Sequence, residues 1–375
     1  MNRLTRLLAF TTACVATGVA AAATGETHRS TTTPTAALRD ASGSPRLAIT
    51  VWYPATGGAV EKPLLIGPPD RPLFDSGRAA PDAPVANGRH PVVLLSHGFG
   101  GTARSMGWFG TALADAGFIV VAVDHPGSNG LAPITVTGSA WWWERAEDLK
   151  AAWAAVRQDD VLGPHLDASR LGVAGFSAGG FTTLVAAGAR VDVDHFVAFC
   201  KVHPDEGVCA PQLEAPELSS RHADTFLADP KVRAGLANAP ADHAIPGVRA
   251  AFAMAPALVQ ALAPASLPRI AVPVVIVVGE ADTVAPPATN ASVAARAIPG
   301  AREEMLPRVT HYDFLATCQP AARKAVPQCA QADHQAAAHE AAIRQALQLF
   351  QGMTSQSAGA AQAPAGPLRT APSRR

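Results

Sequence analysis

A chain of 375 residues, 48% of them hydrophobic, carries enough apolar material for one large α/β domain or two smaller ones. Lys plus Arg equals Asp plus Glu at 30 each, and without a basic cluster this neutral balance argues against nucleic acid and other polyanions as partners. The first 23 residues read as a signal peptide. Arg3 and Arg6 give the positive start, residues 7–20 are apolar or small, and Ala21-Ala22-Ala23 offers an A-x-A cleavage site. The apolar stretch is short for a membrane span, so a periplasmic or secreted protein is expected. A lipid anchor on Cys14 is the alternative, although Thr11 stands where a leucine is expected.

Residues 24–45, rich in Thr, Ala and Ser, are expected to form a flexible N-terminus. Residues 46–53, RLAITVWY, alternate and predict an antiparallel strand near the sheet edge, opening a domain that runs over 46–351. Residues 54–90, with many prolines and glycines, predict a surface loop. A buried strand and a glycine-rich turn follow in PVVLLSHGFGG at 91–101, then a helix over 105–116, then an apolar strand over 118–123 that ends at Asp124-His125-Pro126-Gly127. Continuous apolar strands separated by helices predict a parallel sheet covered on both faces, wound with right-handed crossovers.

The spacing over 141–156 predicts a helix with Ala146, Leu149, Trp153 and Val156 on one face and Glu144, Arg145 and Asp148 nearer solvent. LGVAGFSAGGFTTL at 171–184 reads as strand, sharp turn and helix. Residues 190–247 break the rhythm with a cysteine pair, several prolines, four histidines and one short helix near 225–237. They predict a cap over the carboxyl edge of the sheet. Strands over 247–254 and 271–278, a helix over 288–297, a strand over 302–306 and a closing helix over 333–350 complete the domain. Residues 352–375 cannot bury enough apolar area to order themselves and predict a disordered tail.

Gly175-Phe176-Ser177-Ala178-Gly179 has the form of a nucleophile elbow, in which two glycines allow strand and helix to approach and the serine hydroxyl is exposed in a strained turn. The plain alternative is that Ser177 only caps a helix. A serine needs a base, and the base needs an acid to fix its tautomer. In a doubly wound sheet these partners meet just past strand ends. Asp282, four residues beyond Val278, is the candidate acid, with Glu280 as the alternative. His311, after the last strand, is the candidate base. The order Ser, Asp, His suits this architecture. His334 and His339 fall in the closing helix, and His195, His203, His222 and His243 precede the acid.

The candidate oxyanion donors are the N–H of Ala178 and the N–H of Phe99 in the turn His97-Gly98-Phe99-Gly100-Gly101, with His97 a structural residue. Gly98, Phe99, Phe176, Trp141 and Trp142 are the candidate substrate contacts, because three consecutive indoles at 141–143 cannot all face inward on one helix. Beyond Cys14, proximity pairs Cys200 with Cys209 and Cys318 with Cys329. Their spacing does not suit zinc, and no metal is expected.

With these residues in place, 46–350 resembles the α/β-hydrolase superfamily, and within it the exported dienelactone-hydrolase-like and platelet-activating-factor-acetylhydrolase-like serine esterases. The resemblance is carried by HPVVLLSHGFGG, the DHPG turn at 124–127, GVAGFSAGGF, VVGEADTVAPP and THYDF. It implies an α/β-hydrolase fold, a doubly wound and mostly parallel sheet with a cap insertion. It carries the nucleophile to Ser177, the acid to Asp282, the base to His311 and the oxyanion donors to Phe99 and Ala178. True dienelactone hydrolases use cysteine as nucleophile, so the name guides the fold and not the chemistry. The reading is an exported serine hydrolase that cleaves a small-molecule carboxylic ester through an acyl-enzyme, with no cofactor. An amide or peptide hydrolase on the same triad and a non-catalytic binding module of the same fold are the alternatives.

Overall fold

The computed structural model describes residues 23–218 and 228–353. The expected signal sequence as far as Ala22, the alternative at Cys14, His222 and the tail beyond Met353 lie outside the described residues. Where a flexible N-terminus is expected, the chain forms a ten-residue strand, β1 (Ala23–Thr32), and a short helix, α1 (Ala36–Arg39). β1 pairs antiparallel with β2 (Arg46–Ala55) along its whole length, Ala23 opposite Ala55 and Thr32 opposite Arg46. The threonines that suggest flexibility are β-branched and suit a pleated strand. Glu26 gains a partner there, because Trp52 Nε1 donates to its carboxylate at 2.8 Å.

β2 is therefore not at the edge. β4 (Phe74–Pro81) runs beside β1, and β3 (Lys62–Ile66) pairs with β4. These two strands replace the loop expected over 54–90. β3 has only five residues, including Pro63, and a short proline-bearing strand at an edge leaves no apolar period to read.

The centre of the sheet is parallel. β5 (His90–Ser96), β6 (Ile119–Asp124), β7 (Leu166–Phe176), β8 (Val248–Met254), β9 (Val274–Gly279) and β10 (Arg302–Leu306) lie in the order β10-β9-β8-β7-β5-β6, and β2 joins them to the N-terminal strands. Their Val, Leu, Ile and Ala side chains are buried on both faces, which requires cover on both. α2 (Gly107–Asp115) packs with the closing helix Gln335–Gln351. α3 (Val136–Ala140) leads into α4 (Glu144–Arg157), which packs with α5 (Ala178–Ala186). β5 has β6 on one side and β7 on the other. The connections leave it in opposite directions, and a crevice opens past the carboxyl ends of β5 and β7.

Between α5 and β8 lies the segment expected as a cap. It contains the short helix Pro230–Leu236 and a further one, α6 (Val193–Val202), whose N-cap Asp192 accepts from His195 N at 2.9 Å. α6 was not anticipated, because the prolines and the cysteine pair around it mask a ten-residue signal.

The face expected nearer solvent is covered as well. Glu144, Arg145 and Asp148 of α4 are buried: Thr35 and Arg39 of the α1 segment bond Glu144 and Asp148, and Arg145 bonds His97, Ser128 and Thr182. Arg39, itself 1% exposed, donates from both terminal nitrogens to Asp148, at 2.9 and 2.6 Å. Arg39→Ala would strip this buried carboxylate of its counter-charge and is expected to lower the unfolding free energy by about 3–5 kcal/mol, read from urea denaturation. A loss below about 1 kcal/mol, the size of a surface ion pair, would show that α1 is only an appendage.

Candidate active site

The turn at Ser177 is made by backbone proximity. A Cβ on Gly175 would collide with the backbone of Gly179, and one on Gly179 with the carbonyl groups of Ser96 and His97, so both positions accept only glycine. Between them Ser177 takes φ 56° and ψ −119°, a conformation that costs a non-glycine residue about 1–3 kcal/mol. Hydrogen bonds on both sides hold it: Ser177 N–H to the Met254 carbonyl at 2.9 Å, and Ala257 N–H to the Ser177 carbonyl at 3.2 Å.

Asp282 follows β9 in a tight turn. Its Oδ1 accepts from the backbone N–H groups of Val284 and Ala285 at 2.9 and 2.7 Å, which leaves Oδ2 to accept from His311 Nδ1 at 2.7 Å. Glu280 is exposed and does not take this place. His311 opens a one-turn helix, His311–Phe314, fixed by a capping box in which Asp313 Oδ2 accepts from Thr310 N and Oγ1 at 2.7 and 2.9 Å. The other oxygen of Asp313 receives His334 N–H at 2.7 Å. Turned in this way, His311 Nε2 lies 2.9 Å from Ser177 Oγ. All three side chains are buried.

The N–H groups of Phe99 and Ala178 have no protein acceptor among the described residues. Beneath the turn that carries Phe99 lies a buried polar network that the sequence reading did not find. His125 donates from Nδ1 to Asp148 Oδ2 at 2.9 Å and accepts at Nε2 from Ser96 Oγ at 2.9 Å. Arg145 donates to the carbonyl of His97, to Ser128 Oγ at 3.0 Å and to Thr182 Oγ1 at 3.2 Å. His97 accepts at Nε2 from the His125 N–H and bonds the Gly98 carbonyl through Nδ1, at 3.1 and 2.6 Å. Burial, reinforced by the Arg145 charge, pushes His125 down to about 3 and His97 well below the usual histidine range. Burial also lowers Arg145 to about 9. For Asp148, burial acts upward, but the Arg39 charge and hydrogen bonds outweigh it and hold the carboxyl far below its usual range. The DHPG turn and the Arg145, Asp148 spacing were the available signals.

Two chambers meet at Ser177. One is apolar, lined by Trp142, Phe196, Val208, Val232 and Leu258 together with Ala178. The other is lined by Gly98, Phe176, His311, Tyr312, Glu214 and Gln328. Phe99 and Gln212 border both. Four of the expected contacts, Gly98, Phe99, Trp142 and Phe176, thus line the cavity, and Trp141 does not. Its indole is buried, donates to the Val232 carbonyl at 3.0 Å and packs on Gly235, so it supports the cap from behind. His195, His203, His243, His334 and His339 line neither chamber. Both expected disulfides are present. Cys200–Cys209 ties α6 to the turn Gly207–Cys209, and Cys318–Cys329 sits in a small cluster with Tyr312.

A family model described as "Serine aminopeptidase, S33" matches residues 88–312, more than half of the chain. Cutinase 1 of Thermobifida cellulosilytica is 34% identical over 112 residues, which is 29% of this chain and 39% of that protein. A cutinase of Thermobifida fusca (strain YX) is likewise 34% identical over 112 residues, 29% of this chain and 34% of that protein. The match therefore spans little more than a third of these relatives' length. A solved structure of a ferulic acid esterase from Streptomyces cinnamoneus aligns with a TM-score of 0.49 and 19% identity, covering 88% of this chain and 93% of that one.

The buried imidazoles set the acid limb of stability. His97, His125 and His339, the last lowered to about 4 by burial, stay neutral in the fold while the unfolded chain protonates them near pH 6.5. Below that pH the unfolded state binds more protons, so stability falls as pH falls, by up to about 1.4 kcal/mol per pH unit for each imidazole. Urea midpoints are expected to drop steadily from pH 7 to pH 4.5; a flat profile over that interval would contradict the neutral buried histidines.

Proposed function

The chain belongs to the serine aminopeptidase S33 family and has the α/β-hydrolase fold; from that premise we propose that it is an exported serine hydrolase that cleaves carboxylic esters through an acyl-enzyme. The observation that carries the proposal is the unbroken contact chain from Ser177 Oγ to His311 Nε2 at 2.9 Å and from His311 Nδ1 to Asp282 Oδ2 at 2.7 Å. In this reading His311 takes the Ser177 proton as Oγ attacks the ester carbonyl, and Asp282 steadies the imidazolium. The carbonyl oxygen, now an anion, receives the free N–H groups of Phe99 and Ala178. The C–O bond to the alcohol then breaks, the alcohol oxygen leaves with the proton from Nε2, and the acyl group stays on Oγ. Water repeats the sequence in reverse, returning the carboxylic acid and free Ser177. Every step draws on groups of this chain.

Esters are favoured over amides because the aligned relatives are named as cutinases. The family's description as an aminopeptidase keeps amides as the rival substrate. The finer kinship with dienelactone-hydrolase-like and platelet-activating-factor-acetylhydrolase-like esterases rests on the motifs at 90–101, 124–127, 172–181, 277–287 and 310–314. Export is supported by the two disulfides, which persist in oxidising compartments. Among the described residues no helix is long and apolar enough to cross a membrane.

Ser177→Ala is expected to reduce hydrolysis of 4-nitrophenyl butyrate by about 10⁴-fold or more, with an unchanged unfolding midpoint, and to abolish labelling by a fluorophosphonate. Near-normal turnover in that variant would sink the assignment. Comparing the butyrate ester with the matching 4-nitroanilide on the wild-type protein tests ester against amide; faster cleavage of the anilide would favour the rival.

A further inference from the structure

Which chamber receives which half of the ester follows from the position of the base, given the serine-hydrolase reading above. The alcohol oxygen takes its proton from His311 Nε2 as it leaves, so it must lie within hydrogen-bond reach of that nitrogen. His311 lines only the second chamber. The apolar chamber lies on the other side of Ser177, beside Ala178. The acyl group therefore enters the apolar chamber and the alcohol occupies the second.

That second chamber carries a carboxylate. The stem of Glu214 packs over Gly100, one residue from Phe99. Gln328 Nε2 donates to Glu214 Oε1 at 3.2 Å, and the buried Tyr312 side chain lines the same chamber beside it. Both neighbours are neutral, and among the described residues no Lys or Arg lines the chamber. Phe74, Phe176 and Tyr312 bring aromatic rings to the same space. A carboxylate among aromatic rings, without a cation, suits an ammonium group, which gains Coulomb attraction from the one and ring-face attraction from the others. In the apolar chamber the one charged lining residue among the described residues is Arg145, and its hydrogen bonds already go to Ser96, His97, Ser128 and Thr182.

We infer that the enzyme selects esters that join an uncharged, apolar acyl group to a cationic, ammonium-bearing alcohol, with Glu214 reading the charge. The step is the acylation already described; the ammonium group takes no part in bond making and leaves with the alcohol.

The test compares butyrylcholine with 3,3-dimethylbutyl butyrate, which has the same shape with carbon in place of the charged nitrogen. The wild-type protein is expected to show kcat/KM roughly ten-fold higher for the cationic ester at low ionic strength, with the ratio shrinking as salt is added. Glu214→Gln keeps the side-chain shape and is expected to bring the ratio close to one. As a second measurement, choline is expected to inhibit cleavage of the neutral ester by the wild-type protein more strongly than 3,3-dimethylbutanol does. Equal kcat/KM for the two esters, or a ratio unchanged by Glu214→Gln, overturns the inference while leaving ester hydrolysis standing. Cleavage of neither ester, with no fluorophosphonate labelling, overturns both.

Discussion

The geometry of this site is referred to one contact, the backbone of Gly179 against the carbonyl group of Ser96. It joins the first turn of α5 to the end of β5 with no room for a side chain between them. Ala178 opens α5, and Phe99 lies three residues past Ser96, so the same contact sets where two unpaired N–H groups stand relative to each other. Neither segment alone could place both. The strained conformation of Ser177 is the local cost of that approach, and the bonds to Met254 and Ala257 at the end of β8 offset it. The position of the hydroxyl is thus determined by three strands at once.

Below this contact buried charges are grouped. Arg39 and Arg145 are positive, Asp148 and Glu144 are carboxylates, and depressed pKa values keep His97 and His125 neutral. Both carboxylate oxygens of Asp148 are engaged by Arg39 and His125, and the bonds of Arg145 go to neutral oxygens. The Arg145 guanidinium thus stands beneath the turn that carries Phe99 without a directly bonded carboxylate, in surroundings that screen it weakly. Fixed charge of this kind favours a state in which negative charge appears nearby, and in the proposed reaction that state is the tetrahedral oxyanion. Arg145 also bonds His97 and Thr182, and Thr182 in turn donates to the Ala178 carbonyl at 2.8 Å. The same guanidinium thus braces the segments behind both candidate donors.

The apolar parallel strands, the elbow, and the positions of Asp282 and His311 were legible because each is a local pattern: a run without polar residues, a glycine spacing, a polar residue just past a strand end. What escaped depended on partners distant in the chain. β1 was hidden because its threonines are stabilised by pairing with β2, twenty residues away, which composition does not register. The burial of Arg145 and Asp148 was hidden because the helix carrying them has an ordinary charged face. Arg39, about a hundred residues earlier, encloses Asp148, and His97, Ser128 and Thr182 enclose Arg145. Trp141 and Trp142 are adjacent in sequence and have different roles, because one indole is covered by the helix Pro230–Leu236 and the other faces the cavity. Glu214 had no local signal. It matters only because the cap folds it over Gly100.

The cap is fastened where it affects both chambers. Glu206 Oε1 receives the Thr289 hydroxyl, and the backbone of Gly207 lies against the carbonyl groups of Thr283 and Val284, immediately after Asp282. The next residue, Val208, lines the apolar chamber. Cys209 then bonds covalently to Cys200 of α6, and Phe196 of the same helix forms another part of the wall. Acid loop, cap turn and chamber wall are therefore one connected unit, fixed at one end by Asp282 and at the other by the disulfide. On the far side, Gln328 sits next to Cys329 and holds Glu214 in place. Movement of the cap relative to the sheet must carry the acid loop with it or break the Gly207 packing. The cap turn therefore also braces the Asp282 loop that holds His311.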